Sequence, residues 1–308
     1  MKKALLRGLV VVLSAIFYGP VGPLNGVDMK QGMILVVKNK TGNNMVRGVI
    51  ASFLGMLVMA CSACGGGGDA PAAQPAATQK PECFIGDPSA KPTCIVDAAV
   101  LNRSIVNYGD DTRIKAVLGK AAAGQPITIA AIGGSVTQGA WCTQPQFCYV
   151  NRVFGWWQAT FPQSKMTLIN AGVAQTDSAF GAQRVQHDVL QYNPDFVIVD
   201  FDVNDQWNSN STASYRDLVK QILDAPSHPA VIMLAVMDRS GHNAQDWHMP
   251  VMQEFNLPYV SEKNALLPEE QSGQLNPVDR TADPIHPNDL GHEVLAELVA
   301  YRLQSSMH

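Results

Sequence analysis

The sequence predicts an α/β fold of three layers, α/β/α, with helices on both faces of a mostly parallel five-stranded sheet. Two observations predict it. Short runs rich in β-branched and apolar residues alternate with longer stretches of helical spacing from about residue 95 onward. Such alternation implies βαβ units, whose right-handed crossovers keep the strands parallel. The chain is 308 residues long and 46% hydrophobic, enough to bury a core without disulfides.

The elements follow in order. Residues 111–123 are good helix formers and end at Gly124. Residues 126–132 form the first apolar strand, closed by Gly133 and Gly134. Residues 149–161 place Val150, Val153, Phe154 and Trp157 at helical spacing and stop at Pro162. A second short strand covers 166–170, and a helix over 181–192 closes at Asn193-Pro194. The run DFVIVDF at 195–201 is a third strand, 214–225 a helix, and AVIMLAV at 230–236 a fourth strand. Residues 244–256 read as a helix despite Pro250, and 257–261 as a last short strand. The closing helix, 290–306, is amphipathic, with Leu290, Val294, Leu295, Leu298, Val299 and Leu303 as its apolar stripe.

In an open parallel sheet, functional groups gather beyond the carboxyl ends of the strands. Ser135, Gly172 and Asn204 each follow a predicted strand within a few residues, so their loops open on one edge. A glycine turn after a buried strand is by itself unremarkable; the convergence of three such loops makes Ser135 a candidate nucleophile.

The front of the chain reads as an address. Residues 1–60 hold seven Lys and Arg against one acid, Asp28, whereas beyond residue 60 acids outnumber bases 25 to 15. So acidic a body, without a basic run, argues against nucleic acid as a partner. Arg47 precedes an apolar stretch too short to span a bilayer comfortably, which ends LVMAC at Cys61. That ending resembles a bacterial lipobox, with Cys61 as the lipidated residue. A Gly/Ala/Pro-rich tether follows over 61–82. The expected organisation is an export signal region over 1–60, the anchor and tether over 61–82, an N-terminal extension over 83–110, and the folded domain over 111–308. An earlier apolar run at 8–19 also follows basic residues, and Met45 begins a complete signal of its own, so translation is expected to start at Met45. The address implies a bacterial cell-envelope protein, on its periplasmic or extracellular face, held to a membrane through the Cys61 lipid. Six cysteines suit an exported chain, with Cys83–Cys94 and Cys142–Cys148 as the simplest local pairs.

Four short blocks, GGS at 133–135, NAG at 170–172, DVND at 202–205 and DPIH at 283–286, occur in that order. Together they resemble the SGNH hydrolases, the GDSL-type esterase and lipase superfamily, over a span from about 111 to 305. The resemblance implies a flavodoxin-like α/β/α domain and a carboxylic ester hydrolase working through an acyl-enzyme. It implies Ser135 as nucleophile, His286 as its general base and Asp283 as the carboxylate behind the imidazole. The N–H groups of Ser135 and Gly172, with the Asn204 amide, would form the oxyanion hole. The residue types suit the chemistry. A serine hydroxyl is a poor nucleophile until a base takes its proton, and a histidine both takes that proton and returns it to the leaving alcohol. A carboxylate fixes the imidazole tautomer, and neutral donors receive the oxyanion.

The chain departs from the family pattern at three places, Gly134 where an acid is usual, Asp202 where a glycine is usual, and Asp205 after Asn204; Asp202 is expected to line or brace the site and to narrow substrate choice, and Asp205 to be a structural hydrogen-bonding residue. An α/β-hydrolase is disfavoured because Thr137, not Gly, stands two residues after Ser135. No phosphate-loop motif follows a strand. His242 and His248 lack a third ligand at zinc spacing, so no metal or cofactor is implied. Trp141 and Trp207, close after Ser135 and Asn204, are candidates to wall the pocket. The expected substrate is a small acyl ester, above all an acetyl group, borne by a small molecule or a glycan. An acyltransferase to a sugar hydroxyl and a non-enzymatic carbohydrate-binding lipoprotein are the alternatives, and oligomeric state is left open.

Overall fold

The computed structural model describes residues 96–307, together with the backbone of three short strands nearer the N-terminus. Those strands, β1 (Ser14–Ala15), β2 (Ile34–Lys38) and β3 (Asn44–Val49), form an antiparallel sheet in sequence order. The expected lipid site at Cys61, the tether over 61–82 and the Cys83–Cys94 pair lie outside the described residues.

Residues 96–307 form a six-stranded sheet flanked by helices. Its strands are β4 (Ile105–Asn107), β5 (Ile127–Gly133), β6 (Met166–Gly172), β7 (Phe196–Asp200), β8 (Ala230–Ala235) and β9 (Tyr259–Ser261). The spatial order is β4-β9-β8-β7-β5-β6. From β5 to β9 all neighbours are parallel, and β4 alone runs antiparallel, against β9. Leaving β4 aside, the order is the 2-1-3-4-5 of flavodoxin-like sheets, whose switch point lies between β5 and β7. The sixth strand, β4, comes from the stretch expected to be an extension. Three residues at a sheet edge carry too little pattern to mark a strand.

The helices are α1 (Ala98–Ser104), α2 (Thr112–Ala122), α3 (Ser135–Gln138), α4 (Tyr149–Thr160), α5 (Ser178–Asp188), α6 (Ser209–Leu223), α7 (Gln245–Phe255), α8 (Glu262–Gln271), α9 (Pro277–Arg280) and α10 (Asp289–Gln304). Strand side chains alternate between faces, and the core divides accordingly. Ile127, Ile129, Phe196, Ile198, Ile232 and Leu234 pack with α1, α2, α4, α8 and α10 on one face. Ala130, Ile132, Val197, Val199, Val231 and Met233 pack with α5, α6 and α7 on the other. Because β5, β7 and β8 are covered on both faces, they read in sequence as continuous apolar runs rather than alternating ones.

The closing helix, α10, is buried more completely than one stripe requires. Val294, Leu295, Leu298, Val299 and Leu303 are inaccessible as expected, and His292, Glu297 and Arg302 are buried with them, while Leu290 is only half-buried. Its start matters for the site: Asn288 caps it by accepting from the N–H groups of Leu290 and Gly291, which fixes where the chain leaves residues 283–286.

Candidate active site

Strand β5 ends at Gly133, and the chain turns at once into α3, whose first residue is Ser135 and whose N-cap is Gly134. As the first residue of a helix, Ser135 has an N–H with no intrahelical acceptor. The end of β5 is pinned from α5 by Arg184, which donates to the carbonyls of Gly133 (3.0 Å) and Ala171 (2.7 Å). Nothing local in the sequence marks Arg184 for this task, since its partners lie 51 and 13 residues away.

The partners come from the other end of the chain. His286 Nε2 stands 2.8 Å from Ser135 Oγ, across 151 residues of sequence. Its Nδ1 lies 2.8 Å from Asp283 Oδ2. The other oxygen of Asp283 accepts from the backbone N–H of His286 (2.7 Å) and of Ile285 (2.8 Å). Burial works against the carboxylate's charge, but these two N–H groups and the imidazole outweigh it and hold the pKa of Asp283 down to about 2. An ionised Asp283 requires the proton on Nδ1, leaving Nε2 as an acceptor for the serine hydroxyl.

The segment bearing both residues is braced on each side. Thr281 and Pro287 form a β-bridge, and Ala282 N–H donates to the His286 carbonyl. Beneath it, the buried Arg280 pairs with Glu270 (2.6 Å) and Glu262 (3.2 Å) and donates to the Asp238 carbonyl. Glu262 in turn accepts from Met237 N–H just beyond β8. On the solvent side, the indole N–H of Trp141 donates to Asp283 Oδ2 (3.0 Å). Trp141 holds a left-handed backbone, φ 65°, costly for a bulky residue. Two ties hold its loop there: the expected Cys142–Cys148 disulfide is formed, and Thr143 bonds to Asp289 through both N–H and hydroxyl. A hollow of about 420 Å³ adjoins this corner, lined by Trp141, Thr143, Ala282, Asn288, Asp289 and Leu290.

The three residues expected as oxyanion donors stand around the end of β5 and the start of α3. Asn204 lies against the turn that carries Ser135: a β-carbon on Gly134 would stand 2.4 Å from its Oδ1 and 2.7 Å from its Nδ2. Any side chain at 134 would require the Asn204 amide to move. The N–H of Gly172 donates to Asn170 Oδ1 (2.9 Å). Glycine is required there by close approach, since a β-carbon would stand 2.1 Å from Gln138 N, within the backbone of α3.

The two acids flanking Asn204 face inward. Asp202 accepts from Tyr259 Oη (2.7 Å) and Asp205 from Ser178 N–H (2.8 Å), and both approach His248, which is fully buried. His242 lies elsewhere, beside Trp207, with ring centroids 5.4 Å apart. The two histidines therefore share no ligand cluster. Trp141 and Trp207 are both exposed, by 59% and 57%.

A sequence model of the GDSL-like lipase/acylhydrolase family matches residues 131–294, from the end of β5 into α10. The chain belongs to this family. Among solved structures, this GDSL-like chain is similar to a two-domain esterase active on acetylated mannans, at 38% identity over 67% of its length, with a TM-score of 0.66. The same esterase co-crystallised with mannopentaose gives the same identity and TM-score. The chain spans 56% of the length of that enzyme. An acetylxylan esterase from Geobacillus stearothermophilus is more distant, at 22% identity, covering 57% of this chain and 94% of its own, with a TM-score of 0.47. No curated protein sequence matches. The family and the fold make residues 131–294 a carboxylic ester hydrolase domain.

Proposed function

We propose that the protein is a serine acetylesterase that removes acetyl groups from a glycan through an acyl-enzyme on Ser135. The observation that carries this reading is the unbroken relay Ser135 Oγ to His286 Nε2 to Asp283, with 2.8 Å at each step. His286 takes the hydroxyl proton as Oγ attacks the acetyl carbonyl. The negative charge that develops on the carbonyl oxygen is met by the Ser135 N–H and the Asn204 amide, and losing one such donor typically costs about 2.7–4 kcal/mol of transition-state stabilisation. The imidazolium, paired with Asp283, returns the proton to the sugar oxygen as the alcohol leaves. Water, activated by the same imidazole, then releases acetate and restores Ser135.

The glycan half of the proposal draws support from the mannan-active esterase, 38% identical, and from two exposed rings, Trp141, which donates to Asp283, and Trp207, three residues beyond Asn204. Aromatic faces of this kind stack on the apolar face of a sugar. Export and lipid attachment at Cys61 belong to the same proposal and rest on LVMAC and its tether. The experiment is acetate release from acetylated mannan, acetylated xylan and p-nitrophenyl esters of increasing chain length, each with and without an unacetylated acceptor sugar. Acetate released from an acetylated polysaccharide, in amounts that the acceptor does not lower, supports the reading. Cleavage of long-chain esters alone, or transfer to the acceptor in place of acetate release, contradicts it.

A further inference from the structure

The loop that follows β7 reads Phe201-Asp202-Val203-Asn204-Asp205, and the N–H groups of Asn204 and Asp205 both donate to the Phe201 carbonyl at 2.9 Å. Asn204 is thus part of one tight turn with an acid on either side of it. Both acids are turned away from solvent, Asp202 completely and Asp205 nearly so, and both reach His248 on α7. Asp205 Oδ2 is 2.9 Å from His248 Nε2, and Asp202 Oδ2 is 3.1 Å from Nδ1. The imidazole lies on the ring of Tyr215 from α6, centroids 3.8 Å apart and planes 21° from parallel. The other oxygen of each acid is taken, by Tyr259 Oη on Asp202 and by Ser178 N–H on Asp205.

Nε2 is hydrogen-bonded to Asp205, and Asp202 stands 3.1 Å from Nδ1 without a hydrogen bond between them; two carboxylates this close to one buried ring favour its charged form. Burial works against the charge on His248, but the attraction of Asp202 and Asp205 outweighs it and raises the pKa to about 9. One cation therefore bridges residues 202 and 205, and the turn between them is clamped from below. Above, the Asn204 side chain rests against Gly134, next to Ser135. Oxyanion donors have to be placed within about 0.5 Å to be effective, and the groups that place them matter accordingly.

We propose that His248 is a positioning residue for the reaction: buried between Asp202 and Asp205, it ties the two ends of the turn together and thereby fixes the Asn204 amide beside Ser135. The proposal rests on the reading of Asn204 as an oxyanion donor. It also accounts for an acid at position 202, where the family usually has glycine: that acid supplies half of the clamp.

The test is a double-mutant cycle on p-nitrophenyl acetate hydrolysis, using His248→Gln, the nearly isosteric Asp202→Asn, and Asn204→Ala, singly and combined. A 1 Å misplacement of a reacting group costs about 100-fold, so His248→Gln and Asp202→Asn are expected to lower kcat by about 30- to 100-fold with KM within about twofold. In the Asn204→Ala background the same two substitutions are expected to cost less than about threefold, because the donor they place is gone. Equal losses in both backgrounds overturn the proposal while leaving Asn204 its role. An Asn204→Ala enzyme with unchanged kcat removes the underlying reading itself. Unfolding of both His248→Gln and Asp202→Asn, judged by circular dichroism and thermal melting, assigns the cluster to stability alone and also overturns the proposal.

Discussion

The Asn204 side chain fills the space where a side chain of Gly134 would lie, its Oδ1 only 2.4 Å from the position of a β-carbon there. The backbone of the nucleophile turn and the amide that faces it are thus fitted to each other. Gly134→Ala forces one of them to move. It is expected to cost about 1–3 kcal/mol of stability through overpacking and to lower kcat by about 100-fold or more, as loss of an oxyanion donor does. Kinetics on p-nitrophenyl acetate beside a melting curve checks this; a fully active Gly134→Ala enzyme would show that the Asn204 amide has no part in catalysis.

Trp141→Phe keeps an aromatic ring at the mouth of the site and removes only the indole N–H from Asp283 Oδ2. A hydrogen bond to a charged group is worth about 1.5–3 kcal/mol when buried. Here both partners are partly exposed, with Asp283 at 30% and Trp141 at 59%, so screening reduces it to about 1 kcal/mol. The expected result is a fall in kcat of about fivefold, with a melting temperature lowered by no more than about 2–4 °C.

Trp207→Ala addresses the glycan. Its ring is 57% exposed and tilted 42° to His242. A sugar that covers about 40 Å² of this ring removes apolar surface worth about 1 kcal/mol, so KM for an acetylated mannooligosaccharide is expected to rise about fivefold more than KM for p-nitrophenyl acetate. Equal effects on the two substrates would remove Trp207 from sugar recognition.

Stability is expected to fall on the alkaline side. His248 is raised from 6.5 to about 9 in the folded protein, so its contribution is complete below about pH 6.5 and disappears as pH rises through about 9. Asp200 adds to the trend with the same sign. Burial, against the opposing hydrogen bond from Thr137, lifts its pKa from 3.8 to about 8, so the folded state keeps a proton that the unfolded chain has lost. Between pH 6.5 and 9 the loss through His248 is on the order of 2 kcal/mol, or roughly 4–8 °C in melting temperature. The groups that face this histidine are Asp202, Asp205 and Tyr215, with Asp200 and Tyr259 next to them. Melting curves of the parent and His248→Gln across this range test the assignment, the variant being expected to show the shallower slope. At the acid end the sign reverses: Asp283, held down to about 2, contributes above about pH 3.8 and loses that contribution as pH falls through about 2.

Much of this was legible in the sequence, for physical reasons. β5, β7 and β8 are covered on both faces and therefore appear as unbroken apolar runs. Ser135, Asn204, Asp283 and His286 fall where strands or a helix cap fix short loops. What the sequence hid depends on distance or on occupancy. β4 is a three-residue edge strand, and α8 carries Pro268 and little amphipathic pattern. Arg184, His248 and Arg280 act through partners on other elements, which no local spacing encodes. The bond from Gly172 N–H to Asn170 Oδ1, two residues earlier, was equally invisible, because it depends on how the end of β6 turns.

The most direct test of the central claim is hydrolysis of p-nitrophenyl acetate by Ser135→Ala at matched thermal stability. Loss of at least about a thousandfold in kcat with an unchanged melting temperature is predicted, since removal of such a nucleophile leaves only binding and oxyanion stabilisation. A folded Ser135→Ala enzyme that keeps activity within tenfold of the parent would contradict an acyl-enzyme on Ser135.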